Sequence, residues 1–335
     1  MNQWNIGIVG AGLIADFHAR AIAELPNAQV AGFCDGGSGR AKGLADKYQS
    51  VAFDNYQDLI RSPQVNVVAV ATPSGFHLQP TVLAAACGKH VICEKPLEVT
   101  LERIDRMIEA HTTAGTYLGG IFPYRYNPCF EVLKQAISQE RFGKITYAGI
   151  QVPWWRDPEY YQDSWHGTWE LDGGGALMNQ SIHMIDYLLA LMGPVSEVIG
   201  FKEHLGHTIE AEDTAVAALK FENQALGTIY GSTASFPGQF RSLQITGTKG
   251  TVIQEEDSFK VWEFQETSDH DEEIRKQFGG IQGGGGVSDP AAIPYENHTR
   301  NISAFLQAIE QDQPFAIDGR EARKAVALIL RIYDK

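Results

Sequence analysis

The first thirty-five residues constrain the fold most. An apolar run from Trp4 to Val9 leads into Gly10-Ala11-Gly12-Leu13-Ile14-Ala15, and a second run from Val30 to Cys34 ends at Asp35. Strand, glycine turn, helix and a second strand closed by an acid make the βαβ unit that binds dinucleotides. Gly10 permits the tight turn, and Gly12 lets main-chain N–H groups approach a pyrophosphate. Ala15 stands where a third glycine would meet the sheet, and Asp35 is placed to accept from ribose hydroxyls. A purely structural glycine turn would carry the same letters. The strand before it, the amphipathic segment after it and the acid about twenty residues on are the context that favours a cofactor. Gly10, Gly12, Leu13, Ile14 and Asp35 are the candidate contacts.

With 335 residues, 44% of them hydrophobic and 20% charged, the chain can bury two sizeable cores. A formal net charge of −14 repels phosphate backbones, which argues against nucleic acid or an anionic membrane as partner. A dinucleotide remains bindable, since a helix N-terminus handles its phosphates locally. Cys34, Cys87, Cys93 and Cys129 form no C-x-x-C pair, and reduced, mostly buried thiols in a cytoplasmic protein are expected rather than disulfides or a metal site. The N-terminus shows no basic leader, and no apolar stretch is long enough to span a bilayer.

Strand-like and helix-like segments alternate to about residue 125, which implies a parallel sheet with helices on both faces. The runs Val65 to Ala71, His90 to Cys93 and Tyr117 to Phe122 lack alternation, as strands buried on both faces should. From Ile145 the pattern changes to successive strand candidates joined by short turns, expected as an antiparallel meander with one helix, Gly175 to Met192, near its start. Asp269 to Glu273 reads as a solvated acidic loop, and Gly279 to Gly286 as a linker or a flap. Asn297 to Gln311 and Glu321 to Asp334 read as closing helices. The expected domains are 1–125, of α/β Rossmann type, and 126–335, an α+β domain on a large, mostly antiparallel open sheet, with the last helices able to pack back on the first domain.

Two places beyond the opening carry chemistry. Glu94-Lys95-Pro96 follows a parallel strand at the sheet edge where ligands bind. Lys95 is either a group that steadies an alkoxide or a surface lysine beside Glu94, and Pro96 is a candidate for a cis bond. The second place runs from Trp165 through Gly173-Gly174-Gly175 to Asp186. Asn179 and His183, four apart on a helix, would share one face. His183 is either a satisfied core histidine or a site residue, and the glycines and tryptophans favour the latter by offering main-chain access and flat apolar walls. Asp186 either orients His183 or faces solvent. No His, Cys and carboxylate cluster has metal-ligand spacing.

The GIVGAGLIADFHARAI opening, VATPSGFH, VICEKPLEVT, PYRYNP, GGGALMNQSIHMIDYLLALMG and the GREARKAVALILRIYD tail together resemble the glucose-fructose oxidoreductase / inositol dehydrogenase (Gfo/Idh/MocA) family over essentially the whole chain. The resemblance implies that Lys95 and His183 are the catalytic pair. It also implies that Thr72, Pro73, His77, Glu94 and Lys95 join the cofactor contacts. Asn179 stands where inositol dehydrogenases often carry aspartate, and the wording from Gly167 to His183 looks more like a sugar-oxidising branch that includes UDP-N-acetylglucosaminuronate 3-dehydrogenases. Tyr124, Arg125, Trp154, Arg156, Trp165, Trp169, Asn179 and Gln180 are then candidates for the substrate wall.

The expected activity is hydride transfer between NAD, with NADP possible, and a secondary hydroxyl or ketone of a sugar, cyclitol or sugar derivative. An NAD-using glycosidase and a non-catalytic dinucleotide-binding regulator are the alternatives. The uncharged alternation of Ile229 to Ser235 is expected to bury a sheet face in a homodimer or homotetramer, with Tyr230 and Ser232 as positions at which charge would weaken it.

Overall fold

Six apolar runs become the strands of one sheet: β1 (Trp4–Val9), β2 (Ala28–Cys34), β3 (Val51–Phe53), β4 (Val67–Val70), β5 (His90–Cys93) and β6 (Leu118–Gly120). Their order is β3-β2-β1-β4-β5-β6, and every pairing is parallel. All four residues of β4 are fully buried, which is why its sequence shows no alternation. The helices α1 (Leu13–Ala23), α2 (Arg40–Lys47), α3 (Tyr56–Arg61), α4 (Leu78–Ala86) and α5 (Leu101–Ala114) connect the strands. Strand order reverses between β1 and β4, and the carboxyl ends of strands at such a switch point form a ligand crevice.

This computed structural model describes residues 3–162, 164–280 and 295–334. The chain divides into two units, one of Met1–Pro123, Glu170–Gly173 and Pro294–Val326, the other of Tyr124–Trp169, Gly174–Ile293 and Ala327–Lys335.

The second unit is built on β7 (Ile145–Pro153), β8 (Val195–Glu203), β9 (Thr214–Phe221), β10 (Leu226–Ser232), β11 (Ser242–Gly247), β12 (Gly250–Glu255) and β13 (Ser258–Phe264), in the order β13-β12-β11-β7-β10-β9-β8. The expected meander is thus broken. β7 lies at the centre and pairs parallel with β10, while its other neighbour, β11, is antiparallel. Strand spacing shows where strands are, not which partner each finds, and the long excursion after β7 supplies the crossover that a parallel pairing needs. The helices α6 (Pro128–Ser138) and α7 (Ile182–Met192) belong to this unit, and α7 packs on β7. One face of the sheet buries Ala148, Ile150, Ala217, Leu219, Ile229, Leu243 and Ile245. Ile199, Phe201, Val216 and Leu226 stand exposed on the other, and the register joins them, with Phe201 opposite Val216 and Val216 opposite Tyr230. Ser232 shares that face by register, opposite Thr214, but is not exposed on it. It is buried, with its Oγ 3.0 Å from Thr214 Oγ1, because the alternation that exposes Leu226 and Thr228 breaks down at the strand's end, where Gly231 and Ser232 are both buried.

The acidic cluster is also not a loop. It opens the helix α8 (Asp269–Phe278), with Ser268 and Asp271 forming a reciprocal capping box. Asp271 is buried against Arg141. The glycine-rich stretch from Gly279 to Gly286 lies outside the described residues from position 281 onward.

The closing helices are α9 (Glu296–Glu310) and α10 (Gly319–Ile332). In the first unit α9 packs on α1, and Asn301 accepts from Phe122 N and donates to Gly120 O. Gly120 N donates to Ile317 O, and Gly119 bridges to Asp318. The free edge of β6 is thereby covered by the chain that follows α9.

Candidate functional site

In the first unit the turn after β1 is shaped for an anion. Gly10 adopts φ +124°, and a Cβ there would collide with the main-chain oxygen of Ala71. At the next turn Gly12 opens α1 with no side-chain cap, a Cβ on it would meet nothing, and Leu13 and Ile14 are exposed. The N–H groups of the first turn are therefore available to a ligand. Across the switch point Thr72 Oγ1 is buried with no hydrogen-bond partner among the described residues, an orphan that a bound polar group would satisfy. An uncapped helix end, an open glycine, an orphaned hydroxyl and an acid at the end of β2 fit a dinucleotide.

Asp35 is engaged by its own loop. Its Oδ1 accepts from Gly37 N at 2.7 Å, and its Oδ2 from Ser38 Oγ at 3.0 Å and Ala41 N at 2.9 Å. The Ala41 N–H is the largest of the influences that hold this carboxyl down to about 2. Pro73 is half-buried at the start of the turn Ser74–Phe76. His77 is buried, with Nε2 3.0 Å from Thr72 O and Nδ1 3.0 Å from Pro96 O, and burial pushes its pKa down. It ties the loop after β4 to the loop after β5 through main-chain carbonyls.

Glu94 is an interior group, so Lys95 is not a surface lysine beside a surface acid. Glu94 Oε1 lies 2.7 Å from His18 Nε2, and Oε2 accepts from the main-chain N–H of Lys95 at 3.1 Å. Burial works against its charge, but the hydrogen bond and charge of His18, with His298 and Lys95 nearby, hold it at about 2. Lys95 itself is half-buried, and the Lys95–Pro96 bond is cis.

In the second unit the expected helix starts in another form. Residues Ala176–Ser181 are π-helical, and regular α-helix begins only at Ile182. The spacing of Asn179 and His183 therefore does not describe one regular α-helical face. Gly175 has no room for a side chain, since a Cβ would collide with the main-chain oxygen of Glu212. This glycine is used for contact within the protein rather than for access by a ligand.

Two groups form around this segment. In one, His166 stacks on Tyr160 with ring centroids 4.3 Å apart and planes at 10°, Trp165 leans on His166 at 4.0 Å, and His166 Nδ1 lies 3.3 Å from Asn179 Nδ2. Gln180 is buried and donates to Tyr160 Oη at 3.4 Å. The buried Arg156 guanidinium lies over Trp154 and Tyr160 and donates to Trp155 O. In the other, half-buried His183 lies 5.0 Å from the Tyr124 ring, which carries the Arg241 guanidinium 4.2 Å above it. Arg241 is held in turn by Glu256 and Asp257.

Two candidates stand apart. Arg125 spends Nε and Nη2 on the two oxygens of Asp186, at 2.7 and 2.6 Å. That fork is closed to a substrate carboxylate, and Asp186 is buried rather than facing solvent. Trp169 packs edge-on against Tyr333 at 5.4 Å, and its main-chain N–H donates to Glu210. Tyr160, His166 and Arg241 were not singled out from the sequence. His166 lies inside the tryptophan-flanked stretch, which was the available signal, whereas Tyr160 ends the short helical turn Pro158–Tyr160 and Arg241 directly precedes β11, with no periodicity to mark either. No group of three or more metal-ligating side chains occurs among the described residues.

The family pattern described as "Oxidoreductase family, NAD-binding Rossmann fold" matches residues 4–119, and the "GFO/IDH/MocA C-terminal domain" matches residues 130–253. The chain belongs to the GFO/IDH/MocA family of oxidoreductases. It is similar to "Uncharacterized oxidoreductase YrbE" of Bacillus subtilis, 31% identical over 73% of this chain and 72% of that one. It is similar also to the myo-inositol 2-dehydrogenase of Thermotoga maritima, 26% identical over 96% and 93%. Among solved structures it resembles the WlbA dehydrogenase from Bordetella pertussis in complex with NADH and UDP-GlcNAcA, with a TM-score of 0.91 at 32% identity over 99% of this chain and 95% of that one. This family member is thus an oxidoreductase with an NAD-binding Rossmann fold.

Proposed function

We propose that this oxidoreductase removes a hydride from a secondary hydroxyl of a sugar derivative, with a nucleotide-linked sugar acid as the first class to test. The observation that carries the reading is the polar and aromatic wall of the second unit, where Arg156, Tyr160, His166, Asn179 and Gln180 gather next to the segment that bears His183. Flat rings and amide groups together suit a pyranose, which offers apolar faces and hydroxyl edges. The relative from Bordetella pertussis was solved with NADH and UDP-GlcNAcA, which supports the substrate class.

Gly10, Gly12, Leu13, Ile14, Asp35, Thr72 and Pro73 hold the cofactor in this reading. NAD, when bound, supplies the hydride acceptor. His183 takes the hydroxyl proton at a ring nitrogen, and the Lys95 ammonium steadies the negative charge that develops on the substrate oxygen. Glu94 fixes the backbone at Lys95 through the N–H it accepts. His77 acts from behind, by holding the two loops.

Assembly as a homodimer or homotetramer belongs to the same reading, supported by the exposed apolar face of β8, β9 and β10. The cytoplasm is supported by buried free thiols, with Cys34 and Cys129 pushed up to about 12 by burial.

The test is a panel of NAD+- and NADP+-coupled oxidations over nucleotide sugars, uronic acids, hexoses and inositols, read by reduced-cofactor absorbance. Sustained turnover on a sugar alcohol is the expected result. Glycoside cleavage without net cofactor reduction would assign the chain to the glycosidase alternative, and cofactor binding without turnover on any member would leave it a regulator.

A further inference from the structure

Glu212 is a carboxylate in an unusual place. It is 2% exposed, and it takes up the three consecutive main-chain N–H groups that open the π-helical segment. Gly175 N donates to Oε2 at 3.0 Å, Leu177 N to Oε1 at 2.8 Å, and Ala176 N to the main-chain oxygen of Glu212 at 2.9 Å. Tyr333, the residue after α10, donates from Oη to Oε1 at 2.6 Å. The first turn of a helix leaves its N–H groups without partners inside the helix and favours a negative charge beside them. Here one residue meets both requirements, and Gly175 is glycine because the Glu212 backbone occupies the space of its Cβ.

The segment so held is the one that carries Asn179, Gln180 and, one turn on, His183. We propose that Glu212 is a positioning residue, whose carboxylate, clamped between Tyr333 and the first turn, sets the register of the polar side chains downstream. The proposal rests on the reading of His183 as the proton acceptor.

Ionisation of Glu212 is finely set. Burial pushes its carboxyl up, the Tyr333 hydroxyl and the N–H groups pull it down, and the balance lies at about 7. Among the described residues the titratable groups beside this clamp include Tyr333, Asp213 and Lys202, whose Nζ lies 5.8 Å from the Tyr333 ring. Tyr333 itself is raised far above the ordinary range by burial. Asp213 is turned elsewhere, accepting from Leu205, Gly206 and His207 N–H groups and from Thr214, and is held low. Protonating Glu212 would put a donor among the three donors its carboxylate accepts from and remove the charge from the helix start.

The test uses the full chain, with NAD+ and UDP-GlcNAcA as probes. Glu212→Gln keeps the volume but turns an amide NH2 toward N–H or O–H donors. We expect kcat to fall about tenfold or more with KM for NAD+ within about twofold, and amide exchange across 175–181 to accelerate at fixed pH. Glu212→Asp, which retains the charge, should recover part of the loss. Tyr333→Phe removes one donor from the ionised form, so the acid limb of the kcat profile should move up by about one pH unit.

Wild-type exchange and turnover in Glu212→Gln would overturn the proposal. If that variant does not fold, a stationary acid limb in Tyr333→Phe does the same. Should His183→Ala keep full turnover, or UDP-GlcNAcA not be oxidised, the functional reading fails while the exchange measurement still decides whether Glu212 holds the segment.

Discussion

Asp35 should make this enzyme select NAD+ over NADP+ by about a hundredfold, and the size of that preference follows from how its carboxylate is already used. A carboxylate offers about four lone-pair sites. Gly37 N, Ser38 Oγ and Ala41 N occupy three. An adenosine ribose then gains roughly one charge-assisted hydrogen bond, about 1.5 kcal/mol. A 2′-phosphate with nearly two charges, placed about 5 Å away, meets about 1.7 kcal/mol of repulsion at the dielectric of water, which suits a position at the loop surface. The sum of about 3 kcal/mol corresponds to the hundredfold ratio. Arg40, whose Nε reaches Ser38 Oγ at 3.1 Å, is the cation that would offset part of the repulsion. Asp35→Asn keeps the shape and an acceptor while removing the charge, so the ratio of NADP+ to NAD+ dissociation constants should drop by about twentyfold. Calorimetric titration of each cofactor against wild type and variant measures it. A ratio that changes by less than about threefold, or a wild type that binds NADP+ more tightly, refutes the reasoning.

The other expectations are more direct. Lys95→Ala and His183→Ala should each lower turnover by about a hundredfold or more while NAD+ affinity stays within about twofold; wild-type turnover in either would make that residue structural. Phe201→Glu or Ile199→Arg, on side chains 74% and 73% exposed, should reduce the mass seen by light scattering at micromolar concentration, and a monomeric wild type would remove the premise. Asp271 accepts from Arg141 Nη1 at 2.5 Å, Arg141 Nη2 at 2.8 Å and Trp262 Nε1 at 2.7 Å. The Arg141 hydrogen bonds come first among the causes that hold it well below the usual carboxylate range. Its folded-state value is depressed, so its contribution is full above the ordinary carboxylate value of about 3.9 and is lost as pH falls through the folded value. Asp271→Asn should cost about 3 kcal/mol at neutral pH by calorimetry, with the gap to wild type closing in acid. A gap that widens in acid would contradict the sign.

What could be read from the sequence was whatever local chemistry decides. The turn at Gly10 and the twice-buried strands β4 and β5 announce themselves, because a φ of +124° and burial on both faces leave marks on the residues concerned. The partner of β7 does not. Its parallel pairing with β10 depends on chain passing elsewhere, and no residue of β7 records it. Asp186 illustrates the same limit at the site. Its neighbours in sequence suggested His183, but Arg125, sixty-one residues away, takes both oxygens. The start of helix α8 is written in the sequence as Ser268 followed three residues later by Asp271, a capping box set among acids whose density reads as a solvated loop. The π-helical start of the site segment was not legible. The N–H groups at its start are taken up by Glu212, from a distant part of the chain that no local pattern announces.

Asn301, Ile317 and Asp318 cover β6 from the far end of the chain, and that has a consequence during synthesis. When the ribosome has delivered residues 1–123, the parallel sheet has its strands but not its last protecting segment. The edge of β6 presents unpaired peptide groups until nearly two hundred further residues have been translated. The first unit cannot mature co-translationally ahead of the second, as the N-terminal domain of a simple two-domain chain does. A nascent chain stalled before Asn301 should therefore bind hydrophobic-strand chaperones, and release from them should coincide with emergence of the segment around Ile317 from the exit tunnel.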